Sequence, residues 1–156
     1  MPLIPANAEI WKIEQGYFDA SATGEGAPSG RLRRITHASG AQTCFHTVKQ
    51  GSGFVRIETE REIAADDFDR WWPLTTGRRI AKTRHRVLTQ KHTWEVDVFH
   101  SIPVLLAEVE LASEQESVEI PEWLARFIKR EVTDDARWRN ASLALHGVPS
   151  DSPTAS

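Results

Sequence analysis

A chain of 156 residues, 40% hydrophobic and 26% charged, carries enough apolar surface for one folded domain, which excludes a disordered polyelectrolyte. A net charge of −3 lacks the basic excess of a general nucleic-acid binder, and the one cysteine, Cys44, excludes an internal disulfide or a cysteine-rich zinc site. No stretch approaches a membrane span, and Met1 to Asn7 has neither the basic region nor the apolar run of a signal peptide. The expectation is therefore a cytoplasmic protein with no membrane partner.

Met1 to Ala8 is short, contains Pro2 and Pro5, and reads as extended or frayed. Glu9 to Phe18 alternates and reads as a strand, followed by a Gly-, Ser- and Pro-rich loop to Gly30. Arg31 to Thr36 and Gln42 to Lys49 form a hairpin around Ala38-Ser39-Gly40, with Cys44 a small core residue. Gln50 to Gly53 makes a second tight turn into a strand from Phe54 to Ile63. Ala64 to Trp72 reads as a helix with Phe68, Trp71 and Trp72 on one stripe, stopped by Pro73. Arg78 to Leu88 and Thr93 to His100 form another hairpin, and Val104 to Ala112 is the last strand. A helix opens at Pro121 with Trp123, Leu124, Phe127 and Ile128 as its apolar face. Thr133 or Asp134 caps a final helix to about Leu145. Residues 9–146 make one domain, and 147–156 read as a disordered tail.

Within the strands, charged residues recur at i and i+2, with an apolar residue or a threonine between them. Arg31 and Arg33, the set Arg56, Glu58 and Glu60, Lys82 and Arg84, Glu95 and Asp97, and Glu108 and Glu110 each share one face of their strand. Judged pair by pair, the ordinary explanation is a solvated sheet face with cross-strand ion pairs. The same pattern in five strands and in both signs argues instead for a charged barrel interior with helices outside. Basic pairs suit phosphate oxygens. Carboxylate pairs suit Mg²⁺ or Mn²⁺. The sequence has no P-loop, no G-x-G-x-x-G, no G-x-S-x-G and no histidine spacing of a metal site. Its six histidines are expected mostly at surface or turn positions.

The ordered set IEQGYF, RLRRI, a strand ending TVK, RIETE, KTR, WEVDVF, LLAEVEL, IPEWL and EVTDDARWRNASLA resembles the bacterial CYTH family, the triphosphate tunnel metalloenzymes, from about Ile13 to Leu145. The resemblance implies an α+β fold: an antiparallel β-tunnel of eight strands with helices packed outside. It implies a small triphosphate-containing partner and a divalent cofactor, Mg²⁺ or Mn²⁺. Family activities are hydrolysis of inorganic, thiamine or nucleoside triphosphates, or cyclisation of ATP. On the matching positions, Arg31, Arg33, Lys49, Arg56, Lys82 and Arg84 are expected to bind phosphate. Glu58, Glu60 and Lys82 are expected to be catalytic, and Glu58, Glu60, Asp97, Glu108 and Glu110 to hold metal. Glu95 matches the strand reading E-V-D, and Glu131 the later E-V-T. The family's first-strand signature, E-x-E-x-K, has no counterpart before IEQGYF, so either the tunnel is open on that side or another segment, or a partner chain, fills the gap. A metal-dependent triphosphatase is the favoured reading and a catalytically impaired polyphosphate- or nucleotide-binding module the alternative. The exposed edge also invites a homodimer.

Overall fold

The computed structural model describes residues 1–22, 24–51 and 57–150. Seven strands form one antiparallel sheet: β1 (Glu9–Tyr17), β2 (Arg31–His37), β3 (Gln42–Gln50), β4 (Ile57–Ile63), β5 (Arg79–Leu88), β6 (Thr93–Phe99) and β7 (Leu105–Val109). Their order is β4-β3-β2-β1-β5-β6-β7, so the sheet is not closed and β4 and β7 are its edges. Among the described residues the tunnel of the resemblance is thus an open seven-stranded sheet, and its opening lies between β4 and β7 rather than on the expected side, beside β1, because β1 is paired with β2 on one side and with β5 on the other. Of the expected strand Phe54 to Ile63, the first three positions lie outside those residues, as do Ser52 and Gly53 of the turn before it.

Strand alternation divides the side chains cleanly. Facing one way are Leu32, Cys44 and Phe18, joined by Ile63, Trp71, Trp72 and the fully buried Phe68 of helix α1 (Ala65–Trp71). Trp94 and Val96 face the same way and pack with Val109, Ile4, Trp123 and Leu124 of helix α2 (Glu122–Ala125). The opposite face carries the charges. Its apolar part, Ile80, Phe99 and Leu106, lies beneath Trp138, Leu143 and Ala144, so helix α3 (Asn140–His146) covers one end of the charged face. Two helices pack outside as expected, and the third does not.

The helices depart most from the sequence reading. Pro73 ends α1 but not the helical path, which continues as a 3-10 turn over Trp72–Thr75. Proline fits there because the first positions of a turn have no backbone donor to lose. The helix expected from Pro121 is one turn long, because only Leu124 finds a buried place, while Phe127 and Ile128 remain exposed. So short a helix needs packing to persist. The expected final helix is split. Asp135, rather than Thr133 or Asp134, caps a 3-10 turn over Ala136–Trp138 by accepting the Arg137 amide, and Arg139 is extended before α3 begins. β7 ends at Val109, which leaves Glu110 just past the ladder. No helix among the described residues is long and apolar enough to cross a membrane.

Gly16 sits where β1 meets the Trp72–Thr75 turn. A Cβ there would lie 2.5 Å from Thr75 Oγ1 and 2.9 Å from the Trp72 ring. The missing side chain lets the turn press against the middle of the sheet.

Candidate functional site

The charged face is built from ladder partners. Arg31 lies opposite Tyr17 and Thr47, and Arg33 opposite Gln15 and Phe45. Lys49 pairs with Glu58 and Thr47 with Glu60. Across β1, Lys82, Arg84 and Arg86 of β5 meet Phe99, Asp97 and Glu95 of β6, and Glu95 meets Glu108 of β7. Gln15, Thr47, Lys82, Arg84 and Asp97 on this face are all buried. A solvated sheet face would not enclose them, so the explanation that wins pair by pair fails for the face as a whole.

One half of the face is a closed ion network. The Asp97 carboxylate accepts from Arg84 Nε at 2.7 Å and Nη2 at 2.8 Å, and from Lys82 Nζ at 2.5 Å. Arg84 also donates to Glu95 and, at 3.1 Å, to Glu108. Arg86 reaches Glu95 at 3.1 Å and Glu9 at 2.9 Å, with its guanidinium 4.3 Å over the Trp11 ring. Burial works against the charge of Arg84, but the bonds and charges of Asp97, Glu95 and Glu108 outweigh it and raise its pKa. Burial would raise the Asp97 carboxyl, yet Arg84 and Lys82 hold it below the usual carboxylate range. Lys82 is pulled down by burial and by Arg84, with Asp97 opposing. Its ammonium also donates to Asn140 Oδ1 at 3.3 Å, so α3 sits directly over it.

The other half is less neutralised. Arg31 donates to Thr47 Oγ1 at 3.2 Å and Glu60 at 3.3 Å, and Thr47 donates to Glu60 at 2.9 Å. Arg33 meets no carboxylate among the described residues. Its Nε donates to the Gln15 carbonyl oxygen at 3.2 Å. Burial, with Arg31 and Arg84 nearby, lowers its pKa to about 10.

The expected site residues are therefore distributed as follows. Arg31, Arg33, Lys82, Arg84, Glu58, Glu60, Asp97 and Glu108 share one face, with Lys49 on the same side of β3. Arg56 lies outside the described residues. Glu58 and Glu60 stand on one edge strand, and Glu108 on the other. Glu131 lies in the loop before the Ala136–Trp138 turn, where it accepts from Thr133. The sequence reading passed over Gln15, Tyr17, Arg86 and Asn140. Alternation alone was enough to place the first three with the charged set. Of the histidines, His46 and His92 are buried, bonding the Ser29 carbonyl at 2.8 Å and Glu116 at 2.7 Å.

A curated inorganic triphosphatase of Nitrosomonas europaea is 40% identical over 106 residues, which span 65% of this chain and 68% of that protein. The chain belongs to the inorganic triphosphatase family. No family model matches it. The solved structure of the inorganic triphosphatase NE1496 is similar with a TM-score of 0.63 and 31% identity, covering 94% of this chain and 92% of that one. A second structure, titled as the hypothetical protein NE1496, gives a TM-score of 0.57 and 30% identity over 93% and 91%. For a member of the triphosphatase family, the feature that matters is the contrast within one face: the arginines of β5 are already neutralised by carboxylates, those of β6 among them, whereas Arg33 of β2 is bonded to a neutral amide.

Proposed function

We propose that the chain binds a triphosphate on the charged face of its sheet and hydrolyses it, as a member of the CYTH group, with inorganic or a small organic triphosphate as substrate. Arg33 carries this reading. It is a largely buried cation beside two other cations, bonded to a neutral amide. Such a group is unfavourable until an anion arrives, and the guanidinium fork fits phosphate oxygens. The inorganic triphosphatase relative supports the same substrate class. Arg31 and Lys49 extend the anion site along β2 and β3, and Arg56 belongs to the set by its sequence position. Arg84 borders it from β5. Lys82 serves from below: buried under Asn140, it fixes Asp97, which in turn fixes Arg84. Water attacks the terminal phosphorus, the bond to the bridging oxygen breaks, and orthophosphate leaves with pyrophosphate from inorganic triphosphate or with the organic diphosphate from an organic one. The arginines neutralise the charge that develops.

The expected Mg²⁺ or Mn²⁺ would need several oxygen ligands brought together. Among the described residues no three His, Cys, Asp or Glu side chains stand so. Glu60, Asp97 and Glu108 each bond an arginine, and Glu58 and Glu60 lie at the edge opposite Glu108. The residues do not fit the ion as arranged, and no step is assigned to it. That observation favours the second reading, a polyphosphate-binding module without turnover. Phosphate release and calorimetry with inorganic triphosphate, each with Mg²⁺, with Mn²⁺ and with chelator, separate the two. Release that falls about 100-fold in Arg33→Ala, from two lost charge-assisted bonds, supports the enzyme. Tight binding without release supports the module, and no binding overturns both. The proposed setting is cytoplasmic, and the proposed macromolecular partner is a second copy docked at β7.

A further inference from the structure

One row across the charged face offers a ligand nothing to bind. Ile13 of β1 lies opposite Ile35 of β2 on one side and Lys82 of β5 on the other, and Ile35 lies opposite Thr43 of β3. Alternation sets both isoleucines on the side of Gln15 and Arg33. Neither is among the residues of the apolar clusters that α1, α2 and α3 cover. Yet only 1% of Ile13 and 5% of Ile35 is exposed, so the groove is filled at this row. The row's cation, Lys82, is already held by Asp97 and Asn140.

The two sides of the row differ in sign. Two residues along β2 from Ile35, about 7 Å, stands Arg33, bonded to a neutral amide, and Arg31 stands as far again. In the other direction come Trp11, opposite His37, and then Glu9. Glu9 accepts from the Trp11 indole at 2.8 Å and from Arg86 at 2.9 Å, and these bonds hold its carboxyl below the usual range. Arg86 also bonds Glu95, so at that end two carboxylates share one guanidinium.

For a phosphate chain such a row is a wall. An anionic oxygen pressed against isoleucine gives up its hydrogen bonds to water and gains none. Beyond the row, the carboxylates repel it. On the triphosphate reading above, three phosphates run from Arg33 past Arg31 toward Lys49. A fourth, added beside Arg33, meets Ile13 and Ile35.

We propose that Ile13 and Ile35 are specificity-determining residues: an apolar crossbar that ends the phosphate site and selects inorganic triphosphate over longer polyphosphate. This rests on the triphosphate reading.

The test is calorimetry of the full chain with inorganic triphosphate and with inorganic tetraphosphate, in whichever of the metal conditions above binds triphosphate tightest. The wild type is expected to prefer triphosphate about tenfold, the effect of one anionic group left without donors. In Ile35→Thr, a hydroxyl donor replaces part of the wall without changing the branching at Cβ, and the preference is expected to fall within threefold. A residue serving only the fold would lower the melting temperature and weaken both ligands alike, which leaves the ratio where it was. An unchanged ratio in a folded Ile35→Thr overturns the inference. If that variant does not fold, Ile13→Thr decides by the same ratio. A wild type that binds the two chains within threefold of each other overturns the inference and leaves the triphosphate reading standing. No binding of triphosphate by the wild type overturns both.

Discussion

Asp97 holds two cations at once. With only 1% of its surface exposed, it is bonded by Lys82 and by both the Nε and Nη2 of Arg84. An asparagine there would leave the buried Lys82 charge without its counter-ion, and breaking a buried pair from one side costs about 3–5 kcal/mol. Urea unfolding of Asp97→Asn at pH 7 is expected to show that loss. The pH dependence has a definite sign. The folded-state pKa of Asp97 is depressed, so its contribution is complete above the unfolded carboxyl's pKa of about 3.9 and is lost as pH falls through the folded value. The gap between wild type and Asp97→Asn therefore closes below about pH 4. A gap unchanged from pH 7 to pH 3 would show that Asp97 acts through something other than its charge. At this scale alternation told the faces apart, so the shared side of Arg31, Arg33, Arg84 and Asp97 was legible. That Lys82 is roofed was not. The residue covering it, Asn140, is 58 positions further along the chain, and no local pattern encodes such a contact.

The strands were readable because each repeats its pattern over several residues and pairs with neighbours that repeat theirs. The two C-terminal helices were read too long because their length depends on what they pack against. Phe127 and Ile128 have helical spacing but no buried surface to meet, and Arg139 turns away from the helical path before α3. Gly16 shows an element junction that composition hides. In Gly16→Ala the new methyl must displace Thr75 or the Trp72 ring, a small-to-large change in a filled space costing about 1–3 kcal/mol. A lowered melting temperature, with the Trp72 environment altered in near-ultraviolet circular dichroism, is the expected outcome. An unchanged melting curve would mean that the turn does not bear on β1.

For the whole molecule, the open sheet leaves two edges of different character. A second β4 laid antiparallel to the first would set Glu58, Glu60 and Glu62 among their own copies, and like charges across a ladder repel. β7 is less guarded: its one charge, Glu108, is bonded to Arg84, and Leu105 and Ala107 are exposed. Light scattering is expected to find a dimer that Ala107→Lys dissolves, since a lysine on an edge strand discourages pairing. A monomer at high concentration, or a dimer indifferent to Ala107→Lys, would place no contact at β7.

The arginines on β2 and those on β5 flank β1, the strand that both of their ladders share. A polyanion held by Arg33 and bordered by Arg84 would staple the sheet across its midline and leave the two rims free to flex. Occupancy would then stiffen the protein from the middle outward.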